Sequence, residues 1–126
     1  MIFIILIAHF LSDFVFQSDW MAKNKSRYFH ILIIHCLIYS LTFLCMVSLW
    51  IYTFGESIEI LQFGLSWFIV LAYLFGTHLI IDFITSKINT ELWRAGKRWK
   101  FFVCIGADQL IHYCMLFIPL EILGII

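Results

Sequence analysis

The sequence predicts an all-α integral membrane protein, a bundle of four transmembrane helices, on three observations. The 126 residues are 63% hydrophobic and only 13% charged. The mean hydropathy is +1.01. The apolar residues gather into four runs, 2–20, 28–52, 61–86 and 101–126, each near the roughly 20 residues that cross a bilayer. An ordinary soluble domain is excluded by that balance, and the short connections predict one transmembrane domain over residues 1–126. Formal net charge is zero, so no nucleic-acid partner is expected.

The first run starts with a wholly apolar stretch to Ala8 and then alternates with polar residues, which suits a helix packed inside the bundle. It has neither a basic leading region nor a small-residue cleavage site and it contains His9 and Asp13, so a retained helix is expected rather than a signal peptide. The second and third runs are longer and carry His35 and then His78 with Asp82. The fourth carries Asp108 and His112. Ala8, Gly76 and Gly106 lie beside these polar residues, and Ala72 with Gly76 makes a small-xxx-small pattern, so close helix approach is expected there. Cys36, Cys45, Cys104 and Cys114 form no CxxC pair and read as small buried hydrophobes.

Charge segregation predicts the orientation. All 8 Lys and Arg lie in the connections 21–27 and 87–100, whereas the second connection carries Glu56 and Glu59. By the positive-inside rule connections one and three are cytoplasmic and both termini lie outside. A membrane that borders the cytoplasm is the expected location. Trp20, Tyr28, Trp93 and Trp99 would line the cytoplasmic interface, with Trp50 and Tyr52 at the other. The segment KINTELWRAGKRWK (87–100) reads either as topology-setting charge or as an interfacial stretch on anionic headgroups.

The polar residues within the runs need a physical explanation, since a central Asp costs about 2.5–3.5 kcal/mol on insertion. His9/Asp13, His78/Asp82 and Asp108/His112 are i, i+4 pairs, which share a helix face. Counted from the cytoplasmic ends, these pairs and His35 fall within about three helical turns of one surface, with His deeper than Asp in each pair. One polar layer is expected. Gln17 extends the first face by a turn and reads as a better supporting residue than Gln109, which points to a neighbouring direction. Lys87 reads as a snorkelling anchor or a phosphate-binding cation, while His30 and Glu121 read as solvated. The shared HxxxDF of His9–Phe14 and His78–Phe83 hints at a two-fold internal repeat of helix pairs with a site between the halves.

Imidazole with carboxylate suits a divalent transition metal, zinc favoured over iron or manganese, as one or two ions. The candidate ligands are His9, Asp13, His35, His78, Asp82, Asp108 and His112; Asp13, Asp82, Asp108 and His35 are also candidate acid/base groups. Hydrogen-bonded helix glue is the structural alternative.

The chain resembles the bacterial and phage membrane-protein family of the domain of unknown function 3307, through HFLSDFVFQSDW from His9 to Trp20 followed by Lys23 or Lys25, through His35, through HLIID from His78 to Asp82 with Lys87, and through DQLIH from Asp108 to His112. It is distantly similar to small membrane-bound proteins labelled metal-dependent hydrolases. The first resemblance implies no reaction; the second implies metal-dependent hydrolysis. The readings that follow are a hydrolase acting on a lipid or other membrane-associated substrate from the cytoplasmic side, a metal-ion or proton transporter, and a metal-stapled partner protein. Bis-histidine haem ligation suits the adjacent aspartates poorly. Membrane lipids and a second copy in a homodimer are the expected partners.

Overall fold

The computed structural model describes the backbone of residues 2–54 and 60–122 and the side chains of 2–54, 67–118 and 121–122. Among these residues every regular element is a helix. Helix α1 (Ile2–Phe10) runs directly into a π-helical turn (Leu11–Val15) and is followed by a short α2 (Asp19–Asn24). Three long helices complete the chain, α3 (Phe29–Phe54), α4 (Ile60–Arg94) and α5 (Arg98–Ile122). Glu56, Glu59 and the final residues 123–126 lie outside the described residues.

Among the described residues three helices are long and apolar enough to cross a membrane: Phe29–Phe54, Trp67–Arg94 and Arg98–Ile118. The first apolar helix, Ile2–Val15, is shorter than the apolar run 2–20. At about 1.5 Å per residue it measures about 21 Å, against a hydrocarbon thickness of about 30 Å. The cause is local. Ser18 adopts extended backbone and its hydroxyl accepts the Met21 N–H at 3.2 Å, so it caps α2 and ends the preceding segment.

The segment 87–100 is largely not a loop. Nothing between Lys87 and Arg94 breaks a helix, and α4 continues to Arg94. It is closed by Gly96 at φ +69°, with Gly96 N–H donating to Trp93 O at 3.1 Å and Lys97 N–H donating to Leu92 O at 2.9 Å. That bond pair is a Schellman closure, and a left-handed residue at this position favours glycine. The Arg98 guanidinium then lies 3.5 Å from the centre of the Trp93 ring, across the turn.

Helix α1 packs on α3, α3 on α4, and α4 on α5. The core residues Ile5 and Ala8 (α1), Phe43 and Val47 (α3), Val70 and Leu74 (α4) and Leu116 (α5) form one apolar cluster. Each precedes the polar residues of its helix in α1 and α4 and follows them in α3 and α5. Neighbouring helices are therefore antiparallel, with the apolar cluster filling one end of the bundle and the His/Asp residues sitting toward the turns at 25–28 and 95–97. The outer surface is apolar, with Phe3, Phe68, Ile80, Phe102 and Leu110 all exposed, the inverse of a water-soluble pattern.

Two packing expectations change. A Cβ built on Gly76 or Gly106 meets nothing within 4 Å, so neither glycine serves close helix approach, although Ala8 is fully buried. Of the cysteines only Cys36 is buried; Cys45 and Cys114 are exposed and Cys104 is intermediate. Two buried hydroxyls bond to the carbonyl one turn back, Ser12 donating to Ala8 O at 2.7 Å and Ser40 to Cys36 O at 2.8 Å.

Candidate metal centre

The polar residues of the three long helices meet because each sits about one turn from the next on an inward face: His35 and Tyr39 on α3, His78 and Asp82 on α4, Asp108 and His112 on α5. Asp13 arrives differently. It rides in the π-helical turn, where Phe16 N–H donates to Leu11 O at 2.9 Å, and such turns redirect a side chain from its α-helical register. The HxxxDF segments of α1 and α4 are thus built on different backbones. All seven layer residues are buried, none more than 7% exposed. The rings stack: His78 lies 3.8 Å from Tyr39 and 4.3 Å from His112 between ring centres.

Two groups of donor atoms result, Asp13–His35–His78–Asp82 and Asp82–Asp108–His112. In the first, His35 Nε2 lies 3.1 Å from His78 Nε2, 3.2 Å from Asp13 Oδ1 and 3.2 Å from Asp82 Oδ2. His78 Nε2 lies 3.5 Å from Asp13 Oδ1 and 3.6 Å from Asp82 Oδ2. A tetrahedral site with bonds of about 2.0–2.1 Å sets its donor atoms about 3.3 Å apart, so these spacings suit a zinc-sized ion. In the second group His112 Nε2 lies 3.6 Å from Asp82 Oδ1 and 3.6 Å from Asp108 Oδ1. Asp82 thus turns one oxygen to each group. Asp13 Oδ1, Asp108 Oδ1 and His112 Nε2 are buried without a hydrogen-bond partner among the described residues, which donor atoms meant for a cation explain. The buried His/Asp groups can hold a metal ion.

Lys25 completes the layer from outside it. Its ammonium donates to Asp82 Oδ2 at 2.6 Å and lies 3.2 Å from His35 Nε2. Burial alone would lower its pKa, but Asp82 above all, with Asp13 and Asp108, outweighs burial and holds it above the usual lysine value. Three carboxylates (Asp13, Asp82, Asp108) against this one ammonium leave a formal charge of two negatives with the imidazoles neutral. One divalent cation would balance that charge.

Residues 1–124 match the family described as Protein of unknown function (DUF3307). The chain belongs to the DUF3307 family. No curated protein and no solved structure matches it, so in this DUF3307 protein the chemistry is argued from the site itself.

His35, His78, Asp82, Asp13, Asp108 and His112 are brought together in the two groups. His9 is adjacent but belongs to neither. Its Nδ1 lies 3.0 Å from the Tyr39 hydroxyl and its Nε2 lies 2.9 Å from Gln109 Oε1. Gln109 Nε2 donates to Asp13 Oδ2 at 3.2 Å and Asp108 Oδ2 at 3.1 Å. Two carboxylates demand the amide NH₂, so its oxygen faces His9, whose proton then sits on Nε2 while Nδ1 accepts from Tyr39. Gln109, not Gln17, is the amide that supports the layer of this DUF3307 protein; Gln17 Oε1 is buried with no partner among the described residues. Lys87 stays outside the layer, its ammonium 3.5 Å from the centre of the Phe83 ring.

Sequence reasoning missed Tyr39, and it assigned Lys25 to topology. The available signal for Tyr39 was its i+4 spacing from His35. For Lys25 the signal was its place just after the HFLSDFVFQSDW motif, but its reach into the layer depends on how α2 folds back. The network makes a testable distinction. Gln109→Leu leaves His9 and two carboxylates short of a partner, so a loss of about 2–4 kcal/mol in thermal or denaturant unfolding in detergent is expected. Gln17→Leu removes no bond made by its oxygen and is expected to change stability by less than about 0.5 kcal/mol.

Proposed function

We propose that this protein is a membrane-embedded, metal-dependent hydrolase that acts on a lipid or other membrane-associated substrate from the cytoplasmic side. The observation that carries the reading is the close approach of donor atoms from Asp13, His35, His78 and Asp82, with Asp82 also facing Asp108 and His112. Imidazole and carboxylate donors favour zinc, and a carboxylate shared by two groups suits one or two ions.

When bound, such an ion supplies Lewis acidity, acidifying water and neutralising charge on an attacked ester. The chain's own residues supply the rest. Asp108, whose Oδ1 has no hydrogen-bond partner among the described residues, is the candidate base that takes the proton of water. Lys25 holds Asp82 in place and offers positive charge beside the reacting centre. Gln109 fixes Asp13 and Asp108 relative to His9. The apolar cluster beyond the layer closes the far end of the bundle, which favours hydrolysis over a transport path through it.

In this reading the basic segments 21–27 and 87–100 face the cytoplasm of a bacterial inner membrane, both termini lie outside, and α1 is the short fourth member of a bundle that pairs as a homodimer. The test is hydrolysis by zinc-reconstituted protein in lipid nanodiscs, assayed on phosphate-ester and carboxylic-ester lipids. Turnover in wild type that falls at least about 100-fold in Asp82→Asn supports the reading. Turnover that survives alanine at Asp13, Asp82 and Asp108 together rejects it.

A further inference from the structure

A second polar site lies beyond the His/Asp layer, where the turn after α2 meets the last turns of α4. Ser26, Arg27, Lys87, Thr90, Glu91 and Arg94 line a cleft of about 350 Å³. The Ser26 and Thr90 hydroxyl oxygens are 2.9 Å apart, tying the two walls together. Three cations face one carboxylate, and that carboxylate, Glu91, is paired with Arg94 at 3.2 Å. Arg27 and Lys87 make no ion pair among the described residues. Each rests instead on an aromatic ring, Arg27 5.2 Å from the centre of Tyr28 and Lys87 3.5 Å from the centre of Phe83.

We propose that this cleft binds the phosphate group of an anionic ligand. Cations parked on ring faces keep their donors available, and Arg and Lys together with the Ser26 hydroxyl, which accepts from Thr90 and so keeps its own proton, are the donor set that phosphate oxygens accept from. The position also fits. Lys87 is five residues past Asp82, about 7.5 Å along the helix, and Ser26 follows Lys25, whose ammonium enters the layer. A phosphate held here is a lipid headgroup if it comes from the membrane and a soluble phosphate if it comes from water. The cleft stands on its own residues and does not depend on metal-assisted hydrolysis.

The test uses full-length protein in nanodiscs of phosphatidylcholine doped with phosphatidic acid, with retained lipid read by native mass spectrometry and metal content by elemental analysis on the same samples. Wild type is expected to retain phosphatidic acid in preference to phosphatidylcholine, and Lys87→Gln with Arg94→Gln to lose that preference by about tenfold or more. Ser26→Ala with Thr90→Val keeps every charge, so insertion is undisturbed, and retention is expected to fall by a few fold. Retention that resists excess inorganic phosphate identifies the headgroup as the source; displacement by inorganic phosphate identifies the soluble ion. Equal retention by wild type and both variants overturns the proposal, and so does a loss confined to the charge variant, which marks diffuse attraction to the surface. Unchanged metal content in the variants separates this outcome from any failure of the metal centre.

Discussion

Asp82→Asn is expected to strip the protein of bound transition metal altogether, whereas His112→Ala should remove only what the second group holds and His35→Ala only what the first holds. The asymmetry follows from geometry: Asp82 Oδ2 faces His35 and His78 while Oδ1 faces His112. The amide keeps the shape of the side chain but not its charge, and supporting residues alone are worth about 10–100-fold in metal affinity, so loss of a shared ligand should exceed that. Elemental analysis of detergent-purified protein after zinc reconstitution reads the result directly. Chelation should lower the midpoint of thermal unfolding in wild type, since a ligand at 100 times its dissociation constant stabilises by about 2.7 kcal/mol, and should leave Asp82→Asn unmoved. Full metal content in Asp82→Asn would remove the metal centre and leave the layer as a hydrogen-bond network.

Lys25→Met should destabilise the metal-free protein by about 3–5 kcal/mol, the usual cost of removing one partner of a buried ion pair. Lys25 and Asp82 are 13% and 3% exposed in their side chains, so solvent does little to screen the loss. Metal loading should shrink the penalty, because a divalent cation supplies the positive charge that Met lacks; a penalty that is the same with and without metal would separate Lys25 from the centre. The pH dependence has a defined sign. The folded-state pKa of Lys25 lies above the usual lysine value, with the carboxylates of Asp82, Asp13 and Asp108 outweighing burial. Its stabilisation is therefore complete below the unfolded value and disappears as pH rises through the raised one. Wild type and Lys25→Met should differ steadily through neutral pH and converge only in strong alkali, as followed by unfolding at stepped pH.

Much of the molecule was legible in the chain itself. The helical class and the three long apolar helices follow from composition and run length, because a bilayer allows few alternatives to a helix once about 20 apolar residues occur together. The convergence of His78 with Asp82, and of Asp108 with His112, follows from the i, i+4 spacing on α-helical backbone. Where the backbone departs from that period the spacing rule loses its force. Asp13 sits in a π-helical turn, so His9 and Asp13 part company, His9 joining Tyr39 and Gln109 while Asp13 meets His35 and His78. Gln109 meets His9, Asp13 and Asp108 because the helix that stands opposite, not the face of one helix, decides which amide reaches the layer.

By itself, then, the sequence determined that this DUF3307 chain is helical, apolar outside and polar within, because helix period and hydrophobicity are local properties of consecutive residues. Only the tertiary structure decided that a π-helical turn and the Ser18 cap interrupt the first apolar run, that Lys25 folds back to pair with Asp82, that Gln109 links three helix-borne groups, and that Asp82 serves both donor sets. Those facts depend on distances between residues far apart in the chain, and such distances are fixed by how antiparallel helices pack and turn, which no single segment encodes.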